Sequence, residues 1–274
     1  MTTSTTQYPA RVRNELRFRA VTVTRSERVS GGFQRLVFSG ADLQGFETRG
    51  FDDHIKLFFP ASQDAALPAL TDEGIVWPDG ARPPARDYTP LFDAARNELA
   101  IDFYLHQQGV ASDWARTARA GDKLIIGGPR ASLVVPEAYG WQLYICDETG
   151  LPALKRRLDA LQRHGGAMQV TALVMLNDAS DKDYLAGQGA FQPEWFVQDG
   201  TDSAERRLFG RLDQLKLPAQ DYFLWVTGEG ERVKRIGDYL TAQGAGDAQL
   251  LRAVAYWHHK AHQEVSLNLL HTKK

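Results

Sequence analysis

Short runs in which apolar and polar residues alternate fill the first half of the chain, whereas longer apolar runs spaced by helical periodicity fill the second. Residues 17–23, 34–38, 54–59, 98–105 and 122–126 are rich in β-branched and aromatic side chains and are bounded by turn residues, the pattern of half-buried strands. Short strands in such succession predict an antiparallel β-barrel. Between the third and fourth runs, residues 60–86 are rich in Pro, Gly and Ala; a loop of this length in a compact domain is usually functional or mobile. The opening residues, 1–13, read as a frayed arm.

Beyond Pro136 the period changes. Residues 141–146 predict a strand, 151–164 a helix, and 168–176 an almost unbroken apolar strand of the kind that helices cover on both faces. Residues 221–226 predict a third strand, leading through the turn Thr227-Gly228-Glu229-Gly230 into a helix that ends near Gly244, and 250–257 a fourth strand. This is an open α/β domain. A length of 274 residues suits two domains. The change of pattern at Pro136–Gly140 divides them into 1–137, a β-barrel, and 138–274, an α/β nucleotide-binding-like domain with a C-terminal helix.

Composition narrows the function classes. With 43% hydrophobic and 24% charged residues and no apolar run able to cross a bilayer, the chain reads as a soluble protein with no membrane partner. It lacks the apolar stretch of a secretory signal. One cysteine, Cys146, excludes a disulfide framework and a thiolate metal cage and fits a reducing, cytoplasmic setting. A net charge of -2 offers no field to gather nucleic acid. Any anionic ligand must therefore be met by local cations. We expect a monomer.

The candidate chemistry begins at Arg86-Asp87-Tyr88-Thr89. On one extended strand Arg86 and Tyr88 project to the same face, so a guanidinium can pair with a phosphate while the phenol packs on a flat ring system. Thr89 adds a hydroxyl. This is an R-x-Y-[ST] flavin pattern, which residue frequencies alone produce in roughly one chain in twenty of this length, so the neighbours decide. Trp77-Pro78-Asp79-Gly80-Ala81-Arg82-Pro83 precedes it. Asp102-Phe103-Tyr104-Leu105-His106, Gly109-Val110-Ala111-Ser112-Asp113-Trp114-Ala115 and Gly127-Gly128-Pro129-Arg130-Ala131-Ser132 follow. Then come Cys146-Asp147-Glu148-Thr149-Gly150-Leu151-Pro152-Ala153, Trp225-Val226-Thr227-Gly228-Glu229 and Ala255-Tyr256-Trp257. In these motifs, over about residues 14–264, the chain resembles the siderophore-interacting protein family, FAD-dependent ferric-siderophore reductases of the ferredoxin reductase superfamily.

The resemblance implies FAD held by Arg86, Tyr88, Thr89, Asp102, Phe103, His106, Ala111, Ser112 and Trp257. Ser112 precedes a helix expected over 113–119, whose free N–H groups suit a pyrophosphate; it reads equally as an ordinary N-cap. His106 reads equally as a structural histidine. Lys56 and Arg130 match positions where the family turns cations toward the ferric siderophore, and many such complexes are anions. The third cation is assigned to Lys260, because Tyr256-Trp257 is followed by His258-His259-Lys260 where the family pattern is Arg-x-Gly. A second departure is Leu91, where many relatives carry Arg.

The electron donor implied is NAD(P)H or reduced ferredoxin, the latter associated in the family with an extra C-terminal helix that residues 264–271 would form. No G-x-G-x-x-G fingerprint is present. The turns holding Asp147, Glu148 and Thr149, and Gly228 and Glu229, are the expected donor site, since each opens a helix that can meet a dinucleotide. Asp178, Asp181 and Asp183 against Lys182 favour NADH over NADPH. No side chain is expected to act as nucleophile or general base, and no resident metal is expected: His258, His259 and His262 share a helical spacing without an H-E-x-x-H context. The alternatives are a general flavin-dependent reductase with another acceptor, and a non-enzymatic siderophore-binding protein.

Overall fold

The computed structural model describes residues 7–78, 80–200 and 203–259. The chain forms two compact units, one of Ala10–Val135 with Ser180–Ala186, the other of Pro136–Ala179 and the described chain from Gly187 onward, with residues 7–9.

The first unit contains β1 (Ala10–Arg13), β2 (Phe18–Arg28), β3 (Phe33–Ser39), β4 (Ile55–Phe58), β5 (Ala69–Thr71), β6 (Gly74–Val76), β7 (Ala85–Tyr88), β8 (Leu91–Asp93), β9 (Glu98–Tyr104), α1 (Val110–Thr117), β10 (Lys123–Gly127) and β11 (Ala131–Val134). Seven of these make one curled antiparallel sheet in the order β7-β4-β10-β2-β3-β9-β8. The expected barrel is thus a half-barrel. Its edges β7 and β8 are joined through Thr89 and Pro90 rather than by a ladder, and Pro90 has no N–H with which to extend one.

Alternation along these strands sends Val21, Val23, Leu36, Phe38, Ile55, Leu57, Leu99, Ile101, Phe103, Leu124 and Ile126 into one core, closed by Ala111 and Ala115 of α1. Phe58 and Ile125 point to the opposite face, where Trp77 covers them. The Trp77 ring lies 4.8 Å from Phe58 and 5.9 Å from Phe18. The long 60–84 stretch is therefore a cover for the outer face, carrying the β5–β6 hairpin.

Two expectations change here. Residues 10–13 are no frayed arm: they pair antiparallel with β11 from Ala10↔Val134 to Arg13↔Ala131. Asn14 continues the contact, its backbone N–H donating to Arg130 O (3.0 Å) and its side-chain amide to Ser132 Oγ (3.1 Å). The helix expected over 113–119 begins earlier, at Val110, with Gly109 as its N-cap. The Asp113 carboxylate reaches back to accept from Gly109 N at 3.3 Å, which fixes the start upstream and leaves Ser112 inside the first turn.

The second unit contains β12 (Trp141–Cys146), α2 (Leu151–His164), β13 (Gln169–Leu176), β14 (Glu194–Val197), α3 (Ser203–Leu212), β15 (Tyr222–Glu229), α4 (Gly230–Ala242) and β16 (Leu251–Trp257). Its parallel sheet runs β14-β13-β12-β15-β16. Every residue of β12 and β15 is buried, as central strands covered on both faces require. Residues 227–229, expected as a turn, continue β15, because the pairing with β16 persists to Glu229↔Trp257 across an irregularity at Gly228. The helix then starts at once.

A buried polar group ties α2 to this sheet. Arg157, 2% exposed, donates from Nε to Tyr144 Oη (2.6 Å), and from Nη2 to Pro136 O (2.6 Å) and Gln142 Oε1 (3.1 Å). Burial pushes the Tyr144 phenol up to about 12, so it remains neutral and serves Arg157 as an acceptor while donating to Gln142 Oε1 at 2.6 Å. Arg157→Ala should destabilise the protein by about 3 kcal/mol, because it leaves buried acceptors without their donor. The shift of the urea midpoint measures this.

Candidate functional site

Ladder register brings some of the expected ligand-binding residues of the first unit to one end of three neighbouring strands. Asp87 of β7 stands opposite Lys56 of β4, and Lys56 opposite Gly127 of β10. Arg130 lies beyond Gly127, on the loop before β11. Lys56 Nζ and Asp87 Oδ1 are 2.6 Å apart with side chains 37% and 49% exposed. An ion pair so open to water is weak. Arg130 is exposed.

Arg86 and Tyr88 lie on the other face of β7, opposite Leu57 and Ile55. The exposed Arg86 guanidinium donates to Ala85 O at 2.7 Å, and among the described residues no carboxylate forms a salt bridge with it. The half-buried Tyr88 ring packs 4.6 Å from Phe103. Burial raises its phenol pKa while the Arg86 charge lowers it less, so the hydroxyl stays protonated. Thr89 is buried at the corner between the two sheet edges, and Leu91 opens β8, half-buried. A flat ring beside an anionic chain would find here an aromatic platform and an uncompensated cation on one strand face.

Of the remaining expected residues, Asp102, Phe103, Ala111 and Ser112 are buried. The Asp102 side chain has no exposed surface and receives two bonds from Arg35, Nε to Oδ1 at 2.7 Å and Nη2 to Oδ2 at 2.8 Å. The Tyr184 hydroxyl also donates to Oδ2. Asp102 is therefore engaged within the protein and its carboxylate is not open to a ligand. Phe103 and Ala111 belong to the core. Ser112, fully buried, accepts from His106 N at 3.3 Å and donates to Tyr104 O at 3.4 Å. It fastens the end of β9 to α1 instead of capping the helix. His106 is exposed, and Arg116 donates to its carbonyl oxygen.

In the second unit the chain order reverses between β12 and β15, and open α/β sheets bind ligands beyond the C-terminal ends of strands at such a switch. Asp147 and Thr149 follow β12; Gly228 and Glu229 end β15. A Cβ on Gly228 would stand 2.6 Å from Asp147 Oδ2, so only glycine lets the two strand ends approach. Asp147 accepts from Thr149 N (3.0 Å), Thr149 Oγ1 (2.5 Å) and Trp257 Nε1 (2.8 Å). Burial nevertheless keeps its pKa above the usual carboxylate range, these hydrogen bonds only partly opposing the shift. Glu229 caps α4 by accepting from Arg232 N at 3.0 Å. Both turns thus present the protein's own carboxylates where a bare helix N-terminus was expected. Glu148 is buried and accepts from Asn177 N.

Trp257 is held by Asp147, an interaction across 110 residues that no sequence pattern signals. Asp181 leaves the acidic group that favoured NADH: it is fully buried, accepting from Ser30 Oγ (2.8 Å) and Gly32 N (2.6 Å). Lys260, His262 and the expected helix over 264–271 lie outside the described residues. Among the described residues no group of His, Cys, Asp and Glu could hold a metal ion.

The Glu229 cap has a consequence for acid stability. Its carboxyl titrates below the ordinary value of 4.5: burial raises it, but the N–H groups of Arg232 and Glu231, with nearby positive charge, outweigh that. A depressed carboxylate adds stability above its unfolded pKa and loses it as pH falls through the folded one. Glu229→Gln should therefore flatten the acid limb of the melting temperature between about pH 5 and 3.

Comparison with known proteins identifies the family and the fold. Residues 22–133 match the family model of the siderophore-interacting FAD-binding domain, and residues 139–260 that of siderophore-interacting protein. The chain is 54% identical to the NADPH-dependent ferric-chelate reductase of Escherichia coli (strain K12) over 94% of this chain and 99% of the relative. It is 28% identical to the ferric vibriobactin reductase of Vibrio cholerae, over 90% and 91%. A siderophore utilization protein from T. fusca superposes with a TM-score of 0.79 at 30% identity, covering 92% of this chain and 97% of that one. The cytochrome P450 reductase of Amycolatopsis, 17% identical, shares the fold at a TM-score of 0.63, over 89% and 71%. The two units are therefore those of a ferredoxin-reductase-like fold, and the chain belongs to the siderophore-interacting protein family.

Proposed function

We propose that this protein is an FAD-dependent reductase of ferric siderophores that draws electrons from NADPH and works in the cytoplasm as a monomer. The observation that carries the reading is the shared rung Asp87–Lys56–Gly127, which sets Arg86-Asp87-Tyr88-Thr89 and the cations Lys56 and Arg130 at one end of adjacent strands. The family match and the ferric-chelate reductase relative supply the chemistry.

Arg86 would meet the FAD pyrophosphate, its guanidinium exposed and free of any carboxylate salt bridge among the described residues. Tyr88, backed by Phe103, would support the flavin ring. Thr89 and the backbone of residues 104–106 would complete the ring's surroundings, with Ser112 holding that backbone through Tyr104 O and His106 N. When bound, FAD would supply the coupling between a two-electron hydride donor and a one-electron acceptor. The balance is one NADPH and two Fe(III) giving NADP+, a proton and two Fe(II), and Fe(II) is the weaker partner for hard oxygen donors. Lys56 and Arg130 would attract an anionic ferric complex despite the slight net negative charge. Asp147, Thr149, Gly228 and Glu229 line the switch point proposed for the nicotinamide donor. The two carboxylate caps already satisfy N–H groups of these turns, at Thr149 and Arg232, which leaves less for a phosphate there.

Purified protein should carry or take up FAD, and the bound flavin should be bleached anaerobically by NADPH faster than by NADH or reduced ferredoxin. A flavin-free protein that refuses added FAD would sink the reading. Lys56→Ala and Arg130→Ala should each raise KM for an anionic ferric siderophore about five- to tenfold, with FAD content unchanged and the effect shrinking at high salt. An unchanged KM removes these residues from the site.

A further inference from the structure

Residues 180–186 follow the second strand of the α/β sheet, yet they pack within the half-barrel unit. Two side chains fasten them there. Asp181 Oδ1 accepts from Ser30 Oγ at 2.8 Å and from Gly32 N at 2.6 Å, fully buried. The Tyr184 hydroxyl donates to Asp102 Oδ2 beside Arg35, and its ring lies 4.6 Å from Phe33. The fit leaves no room for a side chain on the turn between β2 and β3. A Cβ at Gly31 would stand 1.7 Å from Ser180 Oγ; one at Gly32 would meet the Tyr104 ring at 2.6 Å and Asp181 Oδ2 at 2.8 Å.

Both anchors lead to the same short stretch of backbone. Gly32, held at its N–H by Asp181, accepts from Leu105 N through its carbonyl at 2.8 Å. Asp102, held by Tyr184, lies just upstream on β9. From there Tyr104 O and His106 N are bonded to Ser112 of α1. The end of β9 is thus pinned from one side by α1 and from the other by the inserted segment.

We propose that Ser180–Ala186 is a positioning strap for the flavin site, with Asp181 and Tyr184 as positioning residues that act through Gly32 and Asp102 on the backbone of residues 102–106. The proposal rests on the flavin reading above. Both side chains are buried against the half-barrel, so they act through the backbone and not by contact with the cofactor. Each removes freedom from backbone that would otherwise have to be ordered when the ring binds, and pre-ordering of this kind strengthens binding.

The test is FAD affinity, visible flavin circular dichroism and flavin midpoint potential in the full chain and in Asp181→Ala, Asp181→Asn and Tyr184→Phe. Asp181→Ala should weaken FAD binding about tenfold, since two buried donors lose their acceptor. Asp181→Asn keeps an acceptor oxygen and should restore most of the affinity. Tyr184→Phe, which removes one hydroxyl, should weaken binding about threefold; both weakened variants should alter the flavin dichroism and shift the potential. A lower melting temperature of the apoprotein with unchanged affinity, spectrum and potential would overturn the strap. So would an Asp181→Asn variant as impaired as Asp181→Ala. If Asp181→Ala does not fold, Tyr184→Phe decides alone. Failure of the wild-type chain to bind FAD would instead defeat the flavin reading itself.

Discussion

A carboxylate with no exposed surface governs the first unit. Isolating Asp102 from water without a partner would cost several kcal/mol, so the fold must deliver a cation and further donors to it. Arg35 does so from the directly opposed position on β3, and that geometry is available only in one register of the β3–β9 pair. A slip of one residue would turn Arg35 away and expose the Leu36 and Ile101 face as well. The ionic pair and the core alternation therefore specify the same register from opposite faces of the sheet. Tyr184 completes the set, which is why a segment belonging in sequence to the α/β half is held in the half-barrel unit.

Carboxylates also shape the second unit, though differently. At the switch between β12 and β15, Asp147 and Glu229 occupy positions that dinucleotide-binding folds often leave to a ligand's phosphate. The absence of a glycine-rich fingerprint and the presence of these caps are two sides of one fact: N–H groups of the turns, at Thr149 and Arg232, are already satisfied from within. The cost is visible at Asp147, whose pKa burial holds above the usual range despite three donors. Both carboxylates are buried and engaged in these bonds, so half-buried Thr149 is the more accessible polar group of the two strand ends.

Much of this was legible in the sequence where local pattern and register coincide. The α2 helix and the strands β12 and β13 fall within about a residue of their expected bounds because apolar periods and flanking turn residues mark them. The Arg86-to-Tyr88 segment also forms a strand, as the flavin motif rather than any apolar period implied. The errors are local competitions. Asp113 capping back to Gly109 moved α1 upstream of Ser112. Continued pairing with β16 turned an expected turn at 227–229 into strand. Strand β14, only four residues long, and helix α3, which is as amphipathic as the helices that were expected, are absent from the expected elements. Apart from Thr149, two residues from Asp147, the partners of Asp102, Asp147 and Asp181 were invisible, being 67, 82, 110, 149 and 151 residues away. Nothing in an acidic side chain's immediate neighbours says whether it will face solvent or a distant arginine.

That distinction decides how the charges divide between structure and recognition. Asp102 and Asp181 are buried and committed to partners within the fold. Lys56 and Asp87 form the opposite case, an ion pair open to water on both sides. Such a pair contributes little to stability, and an incoming anion that displaces Asp87 from Lys56 gives up correspondingly little. The exposed pair can hold the lysine in place without competing strongly for it. Net charge therefore does not decide what the sheet end can attract: on the proposed reading, Lys56 and Arg130 are open to water there, and a local cluster of cations can draw an anion to a slightly acidic protein.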